Sequence, residues 1–389
     1  MTKAFVAAAL VLATASTAGA QQSVADVLTF LVTNQSVATG NPDRDRSAAQ
    51  ATSDTISRAL LANLATLPVS SSSGAFVYRL NPELGTVERA TSNFGPFFVE
   101  RALTAGQLQA SFGLTFQQMR FTSLDGHNLR DGSFVTTANQ FTDEAAPFDV
   151  DQLRLAIDAS VATFYGNVGI TPRMEVGFAV PMVRLQVEGS RLNIYRGQTF
   201  TQATASATAM GFADVVLRTK YTVYSDQGDG VAAAVDVRLP TGREQDLLGA
   251  GKTSVKIAGI GSVESGIISA HANAGVSLGG LAREFIYGGA LGLAAASHLT
   301  VTGELLGRWI DMPSGIVPVS SLNPNIAGVE TIRLLPESSG LHLITVVPGF
   351  KWNLSETWVL AASASIPLTK AGLVAPFTPF IGLDYAFGR

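Results

Sequence analysis

From about residue 107 to the end of the chain, apolar side chains return at every second position. Val215, Leu217, Thr219, Tyr221 and Val223 share one parity, while Asp214, Val216, Arg218, Lys220 and Thr222 hold the other. Val231, Ala233, Val235, Val237 and Leu239 likewise oppose Asp236 and Arg238, and Leu153, Leu155, Ile157, Ala159 and Val161 oppose Arg154, Asp158 and Ser160. Near the C-terminus, Ile381, Leu383, Tyr385 and Phe387 oppose Gly382, Asp384 and Ala386. A period of two sustained over eight or more residues predicts a half-buried β-strand. Twelve segments carry it: 107–121, 150–166, 173–187, 211–224, 230–240, 252–262, 267–278, 284–296, 299–311, 341–353, 357–367 and 376–387. The connections after the second, fourth, sixth, eighth and tenth strands are short. Those after the first, third, fifth and ninth are long, at 122–149, 188–210, 241–251 and 312–340. Only the connection after the seventh breaks the alternation.

The first hundred residues follow a different rhythm. Met1-Thr2-Lys3, the apolar run Ala4–Ala15 and the small residues Ala18-Gly19-Ala20 predict a secretory signal peptide over 1–20. Val24, Val27, Leu28 and Leu31 fall at helical spacing. A second helix is expected after Ser53, with Ile56, Leu60, Leu61, Leu64 and Leu67 as its stripe and Pro68 as its stop. Segments 75–80 and 86–90 predict a small hairpin, which would raise the strand count to 14 if it joined the others. Residues 21–106 are therefore expected to be either a plug inside a barrel or a periplasmic segment, with the barrel itself at 107–389.

Composition decides what the alternation means. Apolar residues make up 47% and charged residues 14% of 389, with a mean hydropathy of +0.27. Soluble chains carry about 25% charged residues. No mature segment offers the roughly 20 consecutive apolar residues of a spanning helix. An exported, apolar chain built of alternating strands predicts an all-β fold: an antiparallel transmembrane β-barrel in the bacterial outer membrane. The short and long connections fit periplasmic turns and outer loops. Phe164, Tyr165, Tyr221, Tyr224, Trp309, Phe350, Trp352 and Trp358, near strand ends, are expected in interfacial girdles. The absence of cysteine excludes disulfides and thiol chemistry, and a net charge of −4 gives no footprint for nucleic acid.

The parity opposite the apolar one should line the lumen. It holds Arg154, Arg218, Lys220, Arg238, Lys256, Arg308 and Lys351, and Asp158, Glu175, Asp214, Asp236, Glu304 and Asp384. With signs nearly balanced, these groups either pair across strands or line a water-filled path. His271 and Asn273 belong to the same set. With Ser269 they compose the residue types of an outer-membrane phospholipase, but on the lumen face, where polar lining is the simpler reading. Gly249-Ala-Gly251-Lys252-Thr253 ends like a phosphate-binding loop, yet it leads into a strand and lacks the earlier glycine. Pro181 interrupts the third strand, where the inward set is expected to slip, since Arg184, Gln186 and Glu188 take the other parity. A proline there suggests a bulge and a lateral opening. No catalytic residue, metal site or cofactor is expected.

The segment 211–221, Gly211-Phe-Ala-Asp214-Val-Val-Leu-Arg218-Thr-Lys220-Tyr221, resembles a recurring stretch of a bacterial outer-membrane transporter family named for the meta-pathway of phenol degradation. So does Val237-Arg-Leu-Pro-Thr-Gly242, continued by Asp246-Leu-Leu-Gly249 and Gly251. That family is loosely similar to the fatty-acid and aromatic-hydrocarbon transporters, whose Asn-Pro-Ala plug motif has only partial counterparts here, at Asn41-Pro42 and Asn81-Pro82. The last strand, ending at Phe387, resembles the signal read by the barrel-assembly machinery, although Gly388-Arg389 follow. The resemblance implies passive uptake of a small hydrophobic or aromatic solute by a monomer in outer-membrane lipid. A general diffusion porin for polar solutes is the alternative, and a lipid-modifying enzyme a distant third.

Overall fold

Each of twelve long strands of the C-terminal region hydrogen-bonds antiparallel neighbours on both sides, and the last returns to the first. A computed structural model describes residues 23–32, 57–58, 61–63, 78–81, 86–89 and 93–387, apart from 227, 312–314, 324–325, 338–339 and 356. The signal segment, the Asn41-Pro42 pair and most of the second helix lie outside these residues. The wall consists of β1 (Ala110–Phe121), β2 (Asp149–Thr171), β3 (Met174–Tyr195), β4 (Val216–Asp226), β5 (Asp229–Arg238), β6 (Ser254–Ser265), β7 (Ile268–Gly279), β8 (Arg283–Ala296), β9 (Leu299–Asp311), β10 (Leu341–Asn353), β11 (Trp358–Pro367) and β12 (Thr378–Phe387). β12 pairs with β1, from Phe380 opposite Gln117 to Phe387 opposite Ala110, and closes a barrel of twelve strands. The hairpin Tyr78–Asn81 and Thr86–Arg89 forms a separate two-stranded sheet and adds nothing to the wall. Among the described residues no helix is long and apolar enough to cross a membrane.

The alternation read from the sequence is the alternation of the wall, except that on β2 the apolar set Leu153, Leu155, Ile157, Ala159 and Val161 faces inward. Outward-facing Leu114, Phe116, Phe164, Leu217, Tyr221, Val235, Ile257, Leu291, Leu305, Trp309 and Ile381 are 40–65% exposed. A contiguous belt of such side chains would be very costly in water and costs nothing in lipid. Of the expected girdle residues, Tyr165 alone is buried; it faces inward and bonds Asp384.

The upper edge of this belt is a single register row. Leu114 opposite Phe164 and Phe116 opposite Ala162 are the last apolar outward pairs of β1 and β2. Gln118 opposite Ser160 and Arg120 opposite Asp158 follow. On β3, Met182 opposes Ala162, and Arg184 opposes Ser160. β3 therefore keeps its parity straight through Pro181: Glu175, Ala179, Pro181, Val183, Leu185 and Val187 are all buried. Arg184, Gln186 and Glu188 face outward because the strand has left the membrane, not because the inward set slips. Arg154 and Asp158 are corrected on the same ground. They lie on the outer face of β2 above the belt, where Asp158 pairs with Arg130 at 2.8 Å and Arg120 at 3.5 Å.

Three connections expected to be loops carry strands instead. Phe134–Phe141 pairs with upper β2, Val329–Glu337 with that strand, and Gly315–Leu322 with the next. Gln198–Phe212 pairs with upper β3. Together with the ends of β2 and β3 they form six strands of sheet beyond the membrane. α1 (Val24–Val32) packs here, with Leu31 against Leu155 and the backbone at Gly189. Its stripe, Val24, Val27, Leu28 and Leu31, is fully buried as the spacing requires. Ser23 caps the helix: its hydroxyl accepts the Asp26 amide at 3.1 Å, and the Asp26 carboxylate accepts the Ser23 amide at 3.3 Å.

Candidate functional site

Within the wall lies a stretch of chain with no regular structure. Residues 93–106 enter at the short-turn end, rise beside β9 and β10, cross the lumen and descend beside β4 and β3. Phe94 donates its amide to the Thr300 hydroxyl at 3.1 Å, near the turn between β8 and β9. Higher up, one carboxylate, Glu304, accepts the amides of Phe97, Phe98 (3.0 Å) and Val99 (2.9 Å). Lys351 donates to the Pro96 carbonyl at 3.0 Å. On the far side Glu100 pairs with Arg218, Lys220 donates to the Arg101 carbonyl at 3.1 Å, and Thr222 donates to the Ala102 carbonyl at 2.6 Å. The descent ends with the Ala105 amide on Glu175 at 2.8 Å. Arg101, fully buried, donates to the Asn93 carbonyl at 2.8 Å and so ties the two arms together.

Local sequence explains this course. An extended segment with no partner strand leaves its amides and carbonyls orphaned, and each buried orphan costs about 1–3 kcal/mol. Inward charges and hydroxyls of the wall take them instead. Gly106 turns with φ +100, and Gly169 comes so close that a Cβ there would overlap the Gly106 carbonyl. The Leu108 amide then reaches the Gly169 carbonyl at 2.8 Å, delivering the chain to β1.

Most of the remaining lumen candidates join this network. Arg218 forks onto Asp236 at 2.7 and 2.8 Å, Lys256 bonds Asp236 from the other side, and Lys220 pairs with Glu175 at 2.9 Å. Asp384 accepts the Tyr165 hydroxyl, and Arg308 pairs with Glu284 at 2.9 Å. Arg238 faces inward beside these groups. His271 bonds not Ser269 but Ser262, at 2.8 Å, and Ser262 holds the Ala102 amide at 2.8 Å. Asn273 donates to the Glu100 carbonyl at 3.0 Å. Of the residues that suggested acyl transfer, His271, through Ser262, and Asn273 are fastenings for the crossing segment.

Asp214 and Pro181 sit where β3 changes neighbours. Its lower part pairs with β4 up to Ala179 opposite Val216, and its upper part with Gln198–Phe212 from Met182 opposite Phe212. Pro181, which has no amide to donate, still accepts the Ala213 amide at 2.8 Å. The interruption is filled by the loop after β5. Asp214 accepts the amides of Gly242 (3.0 Å) and Ala250 (2.8 Å), and the Thr241 hydroxyl accepts the Val215 amide at 2.9 Å. The two segments that carry the family resemblance thus meet beside the break at Pro181.

The space left above the crossing segment divides at Phe98, the side chain at its summit. One cavity of about 140 Å³ is lined by Phe98, Met119, Phe121, Leu306, Leu343 and Leu373 among others. Another of about 130 Å³ is bounded by Phe98, Asp236, Arg238, Lys256, Glu284 and Arg308 among others. Phe98, Glu100 and Arg101 are absent from the residues singled out in the sequence. The available signal was a charged pair adjoining Gly95-Pro96-Phe97-Phe98-Val99, a stretch of neither period.

No protein-family model matches the chain, and no curated protein matches it. Among solved structures it is similar to an outer-membrane channel from Pseudomonas putida F1, with a TM-score of 0.46, 12% identity, and 72% of this chain and 96% of that one covered. It is similar also to the KdgM porin in complex with disordered oligogalacturonate, with a TM-score of 0.34, 8% identity and coverages of 62% and 99%. For the CymD monoaromatic hydrocarbon channel the values are 0.29, 8%, 73% and 90%. These likenesses are remote. The closed wall with its lipid-compatible outer belt is what makes this chain a β-barrel of the bacterial outer membrane.

Proposed function

We propose that this protein is an outer-membrane channel for passive passage of small hydrophobic or aromatic solutes, narrowed by residues 93–106. The supporting observation is the mainly apolar cavity at Phe98, a ring-sized space inside the lumen and above the constriction, with Gln117, Thr345, Ser365 and Thr378 also in its lining. The resemblance of 211–221 and 237–251 to the phenol-pathway transporters favours the same solute class. A twelve-strand lumen is narrow once side chains fill it, and a segment fastened across it narrows it further, which disfavours free diffusion of polar solutes. No bond needs to be made or broken for passage. The barrel is read as a monomer, inserted into lipid by the assembly machinery acting on β12.

Two measurements test this. The intact barrel in planar bilayers should conduct weakly, and deleting residues 94–104 should raise conductance several-fold. Cells lacking other porins should take up labelled phenol faster when they carry the protein. Large conductance of the intact barrel with no gain in phenol uptake would point to a general porin instead.

A further inference from the structure

The two cavities above the crossing segment adjoin at Phe98 and differ in chemistry. Phe98, Leu306 and Arg308 line both. One end is mainly apolar, with Met119, Phe121, Leu343 and Leu373 beside Gln117 and the hydroxyl residues Thr345, Ser365 and Thr378. An apolar cavity of about 150 Å³ holds a benzene ring, and this one measures about 140 Å³. The other end carries charge of both signs, but the signs are not equally presented. The Lys256 side chain is 29% exposed and that of Arg308 13%, against 7% for Asp236 and 8% for Glu284. Asp236 is covered because Arg218 forks onto both its oxygens. An ammonium has three donors, and Asp236 engages Lys256 from one side. What this end presents to the cavity is therefore mainly cationic N–H, 

which recognises a carboxylate. We propose that the space is a binding site for a small monocarboxylate carried on a single ring or a short apolar chain. The body lies between Phe98, Met119 and Leu343, and the carboxylate meets Lys256 with Arg308 beside it. This assignment rests on the channel reading and narrows its solute class.

The test uses the full-length protein in detergent micelles, with calorimetric titration of benzoate, benzyl alcohol and benzylamine. Benzoate should bind about tenfold tighter than benzyl alcohol, the order expected of one charge-assisted hydrogen bond, and benzylamine weakest. Lys256→Gln should bring benzoate down to the benzyl alcohol level without moving benzyl alcohol, and Lys256→Arg should restore the preference. Leu343→Trp, which fills the apolar end, should weaken both ligands. Heat-modifiable gel migration checks that each variant is folded. Equal binding of benzoate and benzyl alcohol, a preference for benzylamine, or an intact benzoate preference in Lys256→Gln would overturn the assignment. Phenol uptake by cells separates the two readings. Uptake without a carboxylate preference sinks this site alone, and carboxylate binding without uptake sinks the channel alone.

Discussion

The Glu304 carboxylate accepts the Val99 amide at 2.9 Å, across 205 positions of sequence, and takes the amides of Phe97 and Phe98 as well. Three consecutive N–H groups on one anion form the strongest single fastening of the crossing segment. Glu304→Ala leaves all three amides without this acceptor, at about 1–3 kcal/mol each where water does not replace it. Single-channel recordings should then show higher mean conductance and more frequent open events, with unchanged β-sheet circular dichroism. Unchanged conductance would mean that the segment is not the constriction.

Asp214 and Gly242 make a second such pair, this one in the wall. Asp214→Ala frees the loop 241–250 from the gap at Pro181 and should expose it to protease added to intact cells, while the wild type resists. Gly242→Ala should act in the same direction, because its Cβ would overlap the Leu248 carbonyl. If phenol uptake also rises in Asp214→Ala, the gap serves as a sideways route. If cleavage rises alone, Pro181 is a structural break.

The edge of the lipid belt is sharp enough to test residue by residue. Leu305 lies in the middle of the belt, where an arginine costs about 2–4 kcal/mol. Ser160 is the first outward residue of β2 above it, where the same charge costs about 0–1 kcal/mol. Leu305→Arg should lower the denaturant midpoint in lipid vesicles markedly, and Ser160→Arg should leave it nearly unmoved. Equal effects would misplace the membrane boundary drawn through Phe116, Ala162 and Met182.

Tyr165 and Asp384 bond inside the barrel, and Gly113 leaves the room for them. A Cβ at 113 would overlap the Tyr165 ring, so Gly113→Ala should cost about 1–3 kcal/mol by overpacking. Tyr165→Phe should cost about 1–3 kcal/mol by leaving a buried carboxylate short of a donor. Because both act on one contact, the double variant should fall short of the sum in equilibrium unfolding. Strict additivity would show that the contact contributes nothing.

The sequence by itself determined the wall. Period two is a local property, since successive side chains on a strand point to opposite faces whatever surrounds them. Twelve strands, the lipid-facing parity of every wall strand but β2 and the stripe of α1 were therefore legible, as were Arg218, Lys220, Asp236, Lys256 and Glu304 on the inward side. What periodicity does not encode is height. A charge opposite the apolar parity reads the same whether its strand is in lipid or beyond it, so parity alone sets Arg154 and Asp158 in the lumen. For the same reason the strands within 122–149, 188–210 and 312–340 passed for loops. Only the closed structure supplied the register rows that place the membrane edge. Only it brought Glu100 to Arg218 and Asp214 to Gly242, because those contacts join segments whose sequence separation carries no periodic trace.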